Sequence, residues 1–325
     1  MKKMIEEENE KNFTHEEIEE REENYWKDLE KYKKAGKITE KIRKHLKNLV
    51  NPGETLLDIA ETIEKMIRDE GGEPAFPVNL SINQIAAHYT PQIEDQTTIK
   101  DEDIVKVDFG VQIDGCIVDN AITIDLSEKN EKLLKASKEA LKVAIQTIKE
   151  GVGDGEVGKK IEEKIKEYGF RPITNLTGHL IEKYNLHAGI DIPNIAKEDS
   201  YYFKEGDIVA IEPFATNGEG RVVETPNVEI YSIISGGKLR MRSSRELFTK
   251  LLLKYKGLPF ARRWISGMIK TNLLLNASLK ELLEEGCLHP YYVLREARDG
   301  LVSQFEHTLL VQKDGVEILD GEFED

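Results

Sequence analysis

The sequence of 325 residues predicts an α+β protein. Strand and helix signals follow one another in a mixed order, without the regular alternation that is typical of a parallel-sheet fold. A strong hairpin signal lies before the middle of the chain, and a short helical pattern occurs twice, 98 residues apart. These three observations favour antiparallel sheet with helices packed against it.

Charge and composition exclude several classes of protein. The chain has 46 basic and 61 acidic residues, a net charge of −15, which disfavours nucleic-acid binding as its main role because phosphate binding requires a basic surface. The N-terminus lacks the apolar centre of a signal peptide, and no stretch approaches about 18 apolar residues. Two cysteines exclude a disulfide framework and a cysteine-rich zinc module. We therefore expect a soluble, cytoplasmic protein without membrane partners.

The beginning of the chain changes in character near residue 31. Residues 1–30 contain 12 acidic and 5 basic side chains, and we expect them to form a charged extension outside the core. Apolar residues then recur at every fourth position from Ile38 to Val50, which predicts an amphipathic helix over 31–50. A second helix is expected over 55–70, ended by two glycines.

The repeated pattern consists of a helical segment and a glycine. IEKMI at 63–67 reappears as IEEKI at 161–165, and each copy is followed by a glycine four residues later. An extended, proline-containing stretch follows both copies. Either the chain has two structurally similar halves or these are two ordinary surface helices with isoleucines one turn apart.

A β-hairpin is predicted between the two copies. Residues 103–112 and 116–125 alternate β-branched with polar side chains, and they flank Asp114-Gly115, a two-residue turn signal. Because side chains alternate along a strand, this turn brings Asp108 and Asp119 to one face of the hairpin.

The remainder of the chain divides into helical and extended segments. A helix is predicted over 128–149 with Ser127 as its N-cap, and residues 242–286 contain helical patterns interrupted at Gly257-Leu258-Pro259. Extended segments are expected near 172–178, 207–215, 221–234 and 300–321. The predicted organisation is an acidic extension over 1–30, a main αβ domain over 31–241 and 287–325, and an inserted helical subdomain over 242–286.

The paired aspartates are the first candidates for a functional site. With Asp114-Gly115 as the turn, Asp108 faces Ala121, and a one-residue bulge would instead place Asp108 opposite Asp119. Two carboxylates about 5 Å apart repel by about 3 kcal/mol at an effective dielectric constant near 20. A fold accepts this repulsion only with a bound cation, a shared proton or full solvation. A solvated acidic face therefore remains the alternative to a metal site.

Further carboxylates and histidines lie in apolar surroundings. Glu212 occurs in IVAIEPFA and Glu306 in SQFEHTLLV, and buried carboxylates of this kind are paired or bind metal. His179 and His187 lie in TGHLIEKYNLHAG, each beside a glycine. With the two aspartates the carboxylates carry four negative charges, which two divalent cations would neutralise. A single imidazole completes a ligand set suited to Mn, Fe, Co or Zn.

The order of these motifs resembles that of the methionine aminopeptidases, in particular the archaeal members of their type 2 branch. The resemblance covers residues 32–320, including PAFPVNLSINQIAAHYTP around His88 and LPFARRW at 258–264. The motifs that carry it are Asp108 with Asp119, Gly178-His179, Ile211-Glu212-Pro213 and Gln304-Phe305-Glu306-His307. It implies a pita-bread fold, in which two pseudo-symmetric αβ halves surround a curved antiparallel sheet, with an inserted helical subdomain.

The resemblance also implies a role for each site residue. Two divalent metal ions, Co, Mn, Fe or Zn, would be held by Asp108, Asp119, His179, Glu212 and Glu306. Glu212 would also act as general base. His88 would contact the scissile amide, and in type 2 members this histidine is alkylated by epoxides of the fumagillin class. His187 would contact the substrate carbonyl, and Phe76 would line the methionine side-chain pocket.

The activity implied by the resemblance is removal of the initiator methionine from nascent polypeptides with a small second residue, through a hydroxide that bridges the two metals. Nascent-chain N-termini would be the partner, with the ribosome as a further candidate, and the protein would be a monomer. Two alternatives remain. Proline-specific peptidases use the same ligands, but usually carry a full domain before the catalytic one. A non-enzymatic relative that binds ribosomes or RNA would be expected to lack ligands and to have a basic face.

A few conspicuous residues are expected to have no chemical role. Cys116 is predicted to pack in the core and Cys287 to lie at the surface. His307 follows Glu306 directly and should point away from it, so we expect a structural role. The glycine-rich segment 151–158 lacks the Gly-Lys-Ser/Thr ending and the preceding strand of a phosphate-binding loop.

Overall fold

A computed structural model describes residues 15–323, with side chains from residue 26 onwards. The helices in this range are α1 (His15–Leu49), α2 (Leu56–Asp69), α3 (Glu131–Thr147), α4 (Asp154–Glu167), α5 (Arg242–Tyr255) and α6 (Asn272–Glu284), with a 3₁₀ turn at Arg262–Ile265. The strands are β1 (Glu73–Pro74), β2 (Asn79–Ile82), β3 (Ile85–Ala87), β4 (Ile104–Ile113), β5 (Cys116–Asp125), β6 (Arg171–Pro172), β7 (Thr177–Ile181), β8 (Asp191–Pro193), β9 (Ile208–Ile211), β10 (Phe214–Thr216), β11 (Val222–Ile233), β12 (Phe260–Ala261), β13 (Leu288–Glu296), β14 (Val302–Gln304), β15 (His307–Gln312) and β16 (Gly315–Ile318). In this part of the chain, no helix has the length and apolar character that crossing a membrane requires.

The strands form antiparallel sheets on which the helices pack. One sheet has the order β1-β4-β2 with β5 beside β4, and another has the order β16-β15-β9-β7-β8. A single bridge between Ala121 and Glu306 connects β5 to the residue before β15. Two smaller sheets, β14-β10-β6 and β12-β11-β13-β3, complete the α+β architecture.

The repeat predicted from the sequence is present in the element boundaries. Helices α2 and α4 begin 98 residues apart, and so do strands β1 and β6 and strands β2 and β7. In each copy the helix ends at a glycine in the left-handed conformation, at Gly71 and Gly169, before the short strand begins. Two related halves, and not two unrelated surface helices, explain this agreement.

Helix α1 extends further toward the N-terminus than the sequence pattern predicted. It begins at His15 and continues without a break through residue 30, where an extension was expected to end. Leu29 and Tyr32 are buried, and Asp28 forms an ion pair with Lys183. The acidic segment therefore packs on the main domain from at least Asp28 onwards. Residues 1–14 lie outside the described range.

The predicted hairpin and its register are confirmed, whereas the start of the following helix differs. Strands β4 and β5 pair with Asp108 opposite Ala121, without a bulge between them. Helix α3 begins at Glu131 with Asn130 at its N-cap, so the prediction of Ser127 as the cap is wrong. The Ser127 hydroxyl instead donates to Asp125 Oδ1 at 2.7 Å, and Asp125 also accepts from the backbone of Asn130. Asp125 thus stabilises a turn that delays the helix by three residues.

The segment over 242–286 has a hydrophobic cluster of its own. Helices α5 and α6 and the 3₁₀ turn pack around Leu247, Leu251, Leu282 and their neighbours. Strands β11 and β13, which flank this segment, pair directly with each other. Cys287 lies in this cluster and is buried, so its predicted surface position is wrong. We propose that residues 242–286 are a subdomain inserted into a domain formed by 31–241 and 287–325.

A buried ion pair joins the inserted segment to the main domain. Arg263 and Trp264 both donate to the carboxylate of Glu64 on α2, Trp264 through Nε1 at 2.7 Å. Arg263 also donates to Thr90 Oγ1 at 2.6 Å and to the carbonyl of Pro91 at 3.2 Å. We call this cluster the Glu64 junction. It fixes the segment that follows His88 against the inserted helices.

Candidate metal centre

The predicted site residues converge on one cavity. A cavity of about 190 Å³ lies where the sheet of β4 and β5 meets the sheet of β7, β9 and β15. All of the predicted metal ligands and substrate-binding residues line it: Phe76, His88, Asp108, Asp119, His179, His187, Glu212 and Glu306. Residues 230 positions apart in the sequence are therefore brought to a single site.

The hairpin supplies the two aspartates. Asp108 lies on β4 opposite Ala121, and Asp119 lies on β5 opposite Gly110. Because the two positions differ by an even number of residues across the pairing, both side chains point to the cavity. The backbone of Asp119 is held by Thr308, whose hydroxyl accepts from Asp119 N at 2.7 Å and donates to Asp119 O at 2.8 Å. This pair of bonds attaches β5 to β15.

The second half of the chain supplies the imidazole and two glutamates. His179 lies on β7, Glu212 directly follows β9, and Glu306 directly precedes β15. His179 Nε2 lies 3.7 Å from Asp119 Oδ2 and 4.0 Å from Glu212 Oε1. One ligand atom from each of Asp119, His179 and Glu306 lies within 4.8 Å of the others.

Glycine at position 178 permits the close approach of β7 to β9. A Cβ atom at this residue would overlap the carbonyl oxygen of Ala210, which lies on the neighbouring strand. Ala210 pairs with His179 in the sheet, so the missing side chain allows the imidazole to reach the carboxylates. The Gly178-His179 pair in the sequence therefore has a steric reason.

Burial and mutual repulsion shift the protonation of the carboxylates. Desolvation raises the pKa of Asp108 to about 7, although a hydrogen bond from Gln304 opposes the shift. The pKa values of Asp119 and Glu306 are raised well above their usual range by burial, and the neighbouring negative charges raise them further. Burial also raises the pKa of Glu212. These carboxylates require a positive charge in order to ionise together at neutral pH.

The donor set fits divalent cations. Asp108 Oδ1, Asp119 Oδ1 and Glu306 Oε1 are buried and accept no hydrogen bond from any described residue. Burial lowers the pKa of His179 well below its usual value, so the imidazole is neutral and can act as a ligand. Carboxylate oxygens without donors and one neutral imidazole suit Mn, Fe, Co or Zn.

His88 lies outside this cluster and is oriented by the backbone. Its φ angle is 65°, in the left-handed region of the backbone map. This conformation costs free energy for any residue other than glycine, and such strain is often found at functional sites. The ring Nδ1 donates to the carbonyl of Tyr292 at 3.1 Å, which leaves Nε2 as an acceptor toward the cavity. Desolvation lowers the pKa of His88 to about 4, so the ring is neutral at pH 7.

His187 and Phe76 also line the cavity. The residue His187 is exposed overall, but desolvation of its imidazole in the cavity lowers the pKa to about 4, and the ring centroid lies 4.4 Å from that of His179. Phe76 is buried, and the apolar residues Leu186, Phe214 and Pro259 line the same cavity. A Cβ atom at Gly110 would overlap the Phe76 ring, so the hairpin glycine leaves room for this aromatic side chain.

Tyr291 is a residue of the cavity that the sequence did not predict. Its ring lies between the two histidines outside the ligand cluster, with centroid distances of 5.4 Å to His88 and 6.1 Å to His187. It lies on β13, a strand that was not recognised in the sequence. The aromatic and β-branched run YYVL at 291–294 was the available signal for this strand.

Comparisons with known proteins agree with this geometry. A family model described as metallopeptidase family M24 matches residues 30–313. A protein of Pyrococcus horikoshii named methionine aminopeptidase is 48% identical over 292 residues, which cover 90% of this chain and 99% of that protein. Two solved structures share the fold. A thermophilic Arx1 has a TM-score of 0.81 at 20% identity and covers 91% of both chains, and a methionine aminopeptidase from Thermotoga maritima has a TM-score of 0.67 at 23% identity and covers 91% of this chain and 97% of that chain. The predicted fold class is confirmed.

Proposed function

Because the chain belongs to metallopeptidase family M24, we propose that it is an aminopeptidase that removes N-terminal methionine from polypeptides with a small second residue. The resemblance stated from the sequence is confirmed by the archaeal relatives, and the activity follows from their name. The observation that carries the proposal is the set of four carboxylates and one imidazole, with Asp119, Glu306 and His179 buried, in a cavity that apolar side chains also line.

We propose that two divalent cations are held by Asp108, Asp119, His179, Glu212 and Glu306. When bound, such cations supply Lewis acidity and a nucleophile at neutral pH. Their identity is expected to be Co, Mn, Fe or Zn, since all four accept carboxylate and imidazole ligands. The carboxylate oxygens that lack hydrogen-bond donors support this assignment.

The roles of the other side chains follow from their positions. Glu212 acts as general base: Gln304 Nε2 donates to its Oε2 at 3.1 Å, which leaves Oε1 free to take a proton from water and to return it to the leaving amine. His88 accepts the scissile amide N–H through Nε2, because its Nδ1 already donates to a backbone carbonyl. His187 donates to the substrate carbonyl. Phe76 and its apolar neighbours hold the methionine side chain.

The remaining expectations are part of the same proposal. The substrate is the N-terminus of a nascent polypeptide, the ribosome is the expected place of encounter, and the protein acts as a monomer in the cytoplasm. The preference for a small second residue comes from the resemblance to type 2 methionine aminopeptidases.

The first experiment measures methionine release from a Met-Ala-Ser peptide. Protein treated with a chelator is compared with the same protein given Mn²⁺ or Co²⁺, and a Met-Leu-Ser peptide tests the preference for a small second residue. Activity that depends on metal and is higher for Met-Ala-Ser supports the proposal. Folded protein that binds metal but releases no methionine would contradict it.

The same protein preparation distinguishes the proposed function from two alternative functions. A proline-specific peptidase would cleave Ala-Pro faster than Met-Ala-Ser. A non-enzymatic relative would contain almost no metal after careful purification and would cleave neither peptide. Each outcome is distinct from the result expected for a methionine aminopeptidase.

A further inference from the structure

A fully buried carboxylate lies near the C-terminus, behind the metal centre. Asp320 follows β16 by two residues and has no exposed surface. Its Oδ2 accepts from Asn120 Nδ2 at 2.5 Å, and its Oδ1 accepts from His307 Nδ1 at 2.8 Å. Both oxygens of Asp320 therefore accept hydrogen bonds. In contrast, Asp108, Asp119 and Glu306 in the cavity each have a carboxylate oxygen that accepts none from the described residues.

The two donors occupy special positions in the sequence. Asn120 directly follows Asp119, and His307 directly follows Glu306. Because neighbouring side chains in extended backbone point to opposite faces, Asp119 and Glu306 reach the cavity while Asn120 and His307 reach the rear. Asp320 thus contacts the residues that directly follow Asp119 and Glu306, two of the expected metal ligands.

Additional hydrogen bonds make this rear contact rigid. Asn120 Nδ2 also donates to the backbone carbonyl of Glu306 at 2.8 Å, so one amide joins both strands and Asp320. His307 Nδ1–H donates to Asp320, because a carboxylate can only accept, and Arg43 Nη1 lies 3.2 Å from Nδ1 and 3.4 Å from Nε2 of the same ring. Arg43 brings a positive charge to the cluster and also donates to the carbonyl of Glu322 at 3.0 Å.

The segment that carries Asp320 is held in place by helix α1. The carbonyl of Leu319 lies so close to Gly36 that a Cβ atom at this helical position would overlap it. Leu319 N also donates to the carbonyl of Thr308 at 2.9 Å. A glycine inside a helix costs about 1 kcal/mol relative to alanine, and the close approach of the C-terminal segment explains why the helix has one here.

We propose that Asp320 is a positioning residue that sets the separation of Asp119 and Glu306 for a divalent cation. It contacts neither the cavity nor a substrate, and it acts through Asn120 and His307. The proposal rests on the proposed metal centre, but not on the identity of the peptide substrate. Groups that hydrogen-bond to metal ligands typically change metal affinity or activity by about 10- to 100-fold when they are replaced, and Asp320 acts on the residues directly adjacent to two such ligands.

The test uses Asp320→Asn in the full chain. The amide keeps the size of the side chain, but its NH₂ group faces one of the two donors, so one hydrogen bond is lost. We expect the affinity of the chelator-treated protein for Mn²⁺, measured by competition, to fall by about tenfold or more. The visible absorption bands of the Co²⁺ form should shift. At saturating metal, kcat should fall while KM for the peptide changes by less than about threefold.

A matched control is available in Asp154. This residue is also buried, and its carboxylate accepts from Ser200 and from the backbone of Tyr201, with no contact to the metal centre. Asp154→Asn should lower the melting temperature, since it too loses a buried hydrogen bond, but should leave the Mn²⁺ affinity and the Co²⁺ spectrum unchanged. The contrast separates positioning of the ligands from general stability.

Several results would overturn the proposal. Asp320→Asn protein with wild-type Mn²⁺ affinity and a wild-type Co²⁺ spectrum would do so, whatever its melting temperature. If Asp320→Asn does not fold, His307 provides the test. His307→Gln retains a donor for Asp320 and should keep the wild-type affinity, whereas His307→Leu should weaken it, and equal affinities for the two variants would contradict the proposal.

Failure of this proposal can be distinguished from failure of the proposed function. Wild-type protein that binds Mn²⁺ but releases no methionine refutes the peptidase activity, while the metal measurements on Asp320→Asn still decide the positioning role. Wild-type protein that binds no divalent cation refutes both.

Discussion

The proposed metal centre and the Glu64 junction both bury carboxylates, but the groups around those carboxylates differ. At the junction, Arg263, Trp264 and the backbone N–H of Val78 all donate to the Glu64 carboxylate. At the metal centre, several carboxylates lie side by side and oxygens of three of them have no donor among the described residues. A carboxylate that stabilises the fold is paired within the chain, whereas carboxylates kept for a cation are left unpaired at a cost in stability.

The largest expected effect comes from removing one carboxylate of the metal centre. Asp108→Asn and Glu306→Gln should each lower methionine release by at least about a thousandfold, because each removes a proposed metal ligand. Stability in the presence of a chelator should stay the same or rise, since the repulsion between neighbouring carboxylates decreases. Activity assays and urea unfolding check the two statements. An active Asp108→Asn protein would contradict the ligand assignment.

Removal of one charged side chain at the Glu64 junction should lower the stability of the fold, unlike removal of a carboxylate from the proposed metal centre. Arg263→Met leaves Glu64 buried without its cation and should lower the free energy of unfolding by about 3–5 kcal/mol. The double variant Glu64→Leu/Arg263→Met removes both charges, and its free energy of unfolding should decrease by less than that of Arg263→Met alone. Urea unfolding of the wild type and both variants measures the difference. A single variant within about 1 kcal/mol of wild type would show that the junction is not a paired structural site.

The pH dependence of stability should also separate the two regions. The carboxylates of the proposed metal centre have raised pKa values, about 7 for Asp108 and well above the usual range for Asp119, Glu212 and Glu306, so the folded protein without metal keeps protons that the unfolded chain loses. Their contribution is complete below about pH 4 and is lost as the pH rises through the raised pKa values. In a chelator, stability should fall between pH 5 and pH 7 by about 1.4 kcal/mol per pH unit for each retained proton.

Urea midpoints measured in chelator and in Mn²⁺ test this expectation. Asp108→Asn should have a flatter pH dependence than the wild type, and Mn²⁺ should stabilise the wild type more at high pH because its binding releases protons. A chelated wild type whose stability rises steadily from pH 5 to pH 7 would contradict the sign derived from the raised pKa values.

The smallest effect on metal binding is expected from replacing Gln304, an uncharged hydrogen-bond donor in the proposed metal centre. Gln304 donates to Glu212 Oε2 at 3.1 Å and orients this carboxylate. Gln304→Met keeps the volume but removes the donor, and we expect a loss of up to about tenfold in Mn²⁺ affinity with little change in melting temperature. Competition with a chelator measures the affinity. A drop in melting temperature without any change in Mn²⁺ affinity would instead show that Gln304 stabilises the fold and does not orient a metal ligand.

The sequence predicted features that depend on short-range pairing. The Asp114-Gly115 turn has two residues with positive φ, which determines the register of β4 and β5, and the opposition of Asp108 and Ala121 followed from it. The 98-residue repeat likewise appeared as equal spacing of helix and strand boundaries. His179, Glu212 and Glu306 could be listed as candidates from their apolar surroundings, but their convergence with the aspartates came from the resemblance.

Features that depend on long-range contacts were not predictable. Tyr291 enters the cavity because β13 pairs with β11 across the inserted helices, and no local pattern encodes that pairing. The N-terminal part of α1 was interpreted as an extension because its composition is acidic, although Leu29 is buried against the main domain. Ser127 looked like a helix cap, but Asp125 accepts bonds from the turn and shifts the start of the helix.

The contact between Gly36 and Leu319 has a consequence for how the protein is made. Gly36 on helix α1 is synthesised well before the carbonyl that packs against it, which belongs to Leu319. At about 5–20 residues per second, synthesis of the roughly 280 intervening residues takes tens of seconds. During that time the first helix lacks its final partner. The contact forms only when Leu319 reaches Gly36, so truncation of the chain before Leu319 should impair the whole domain and not just its edge.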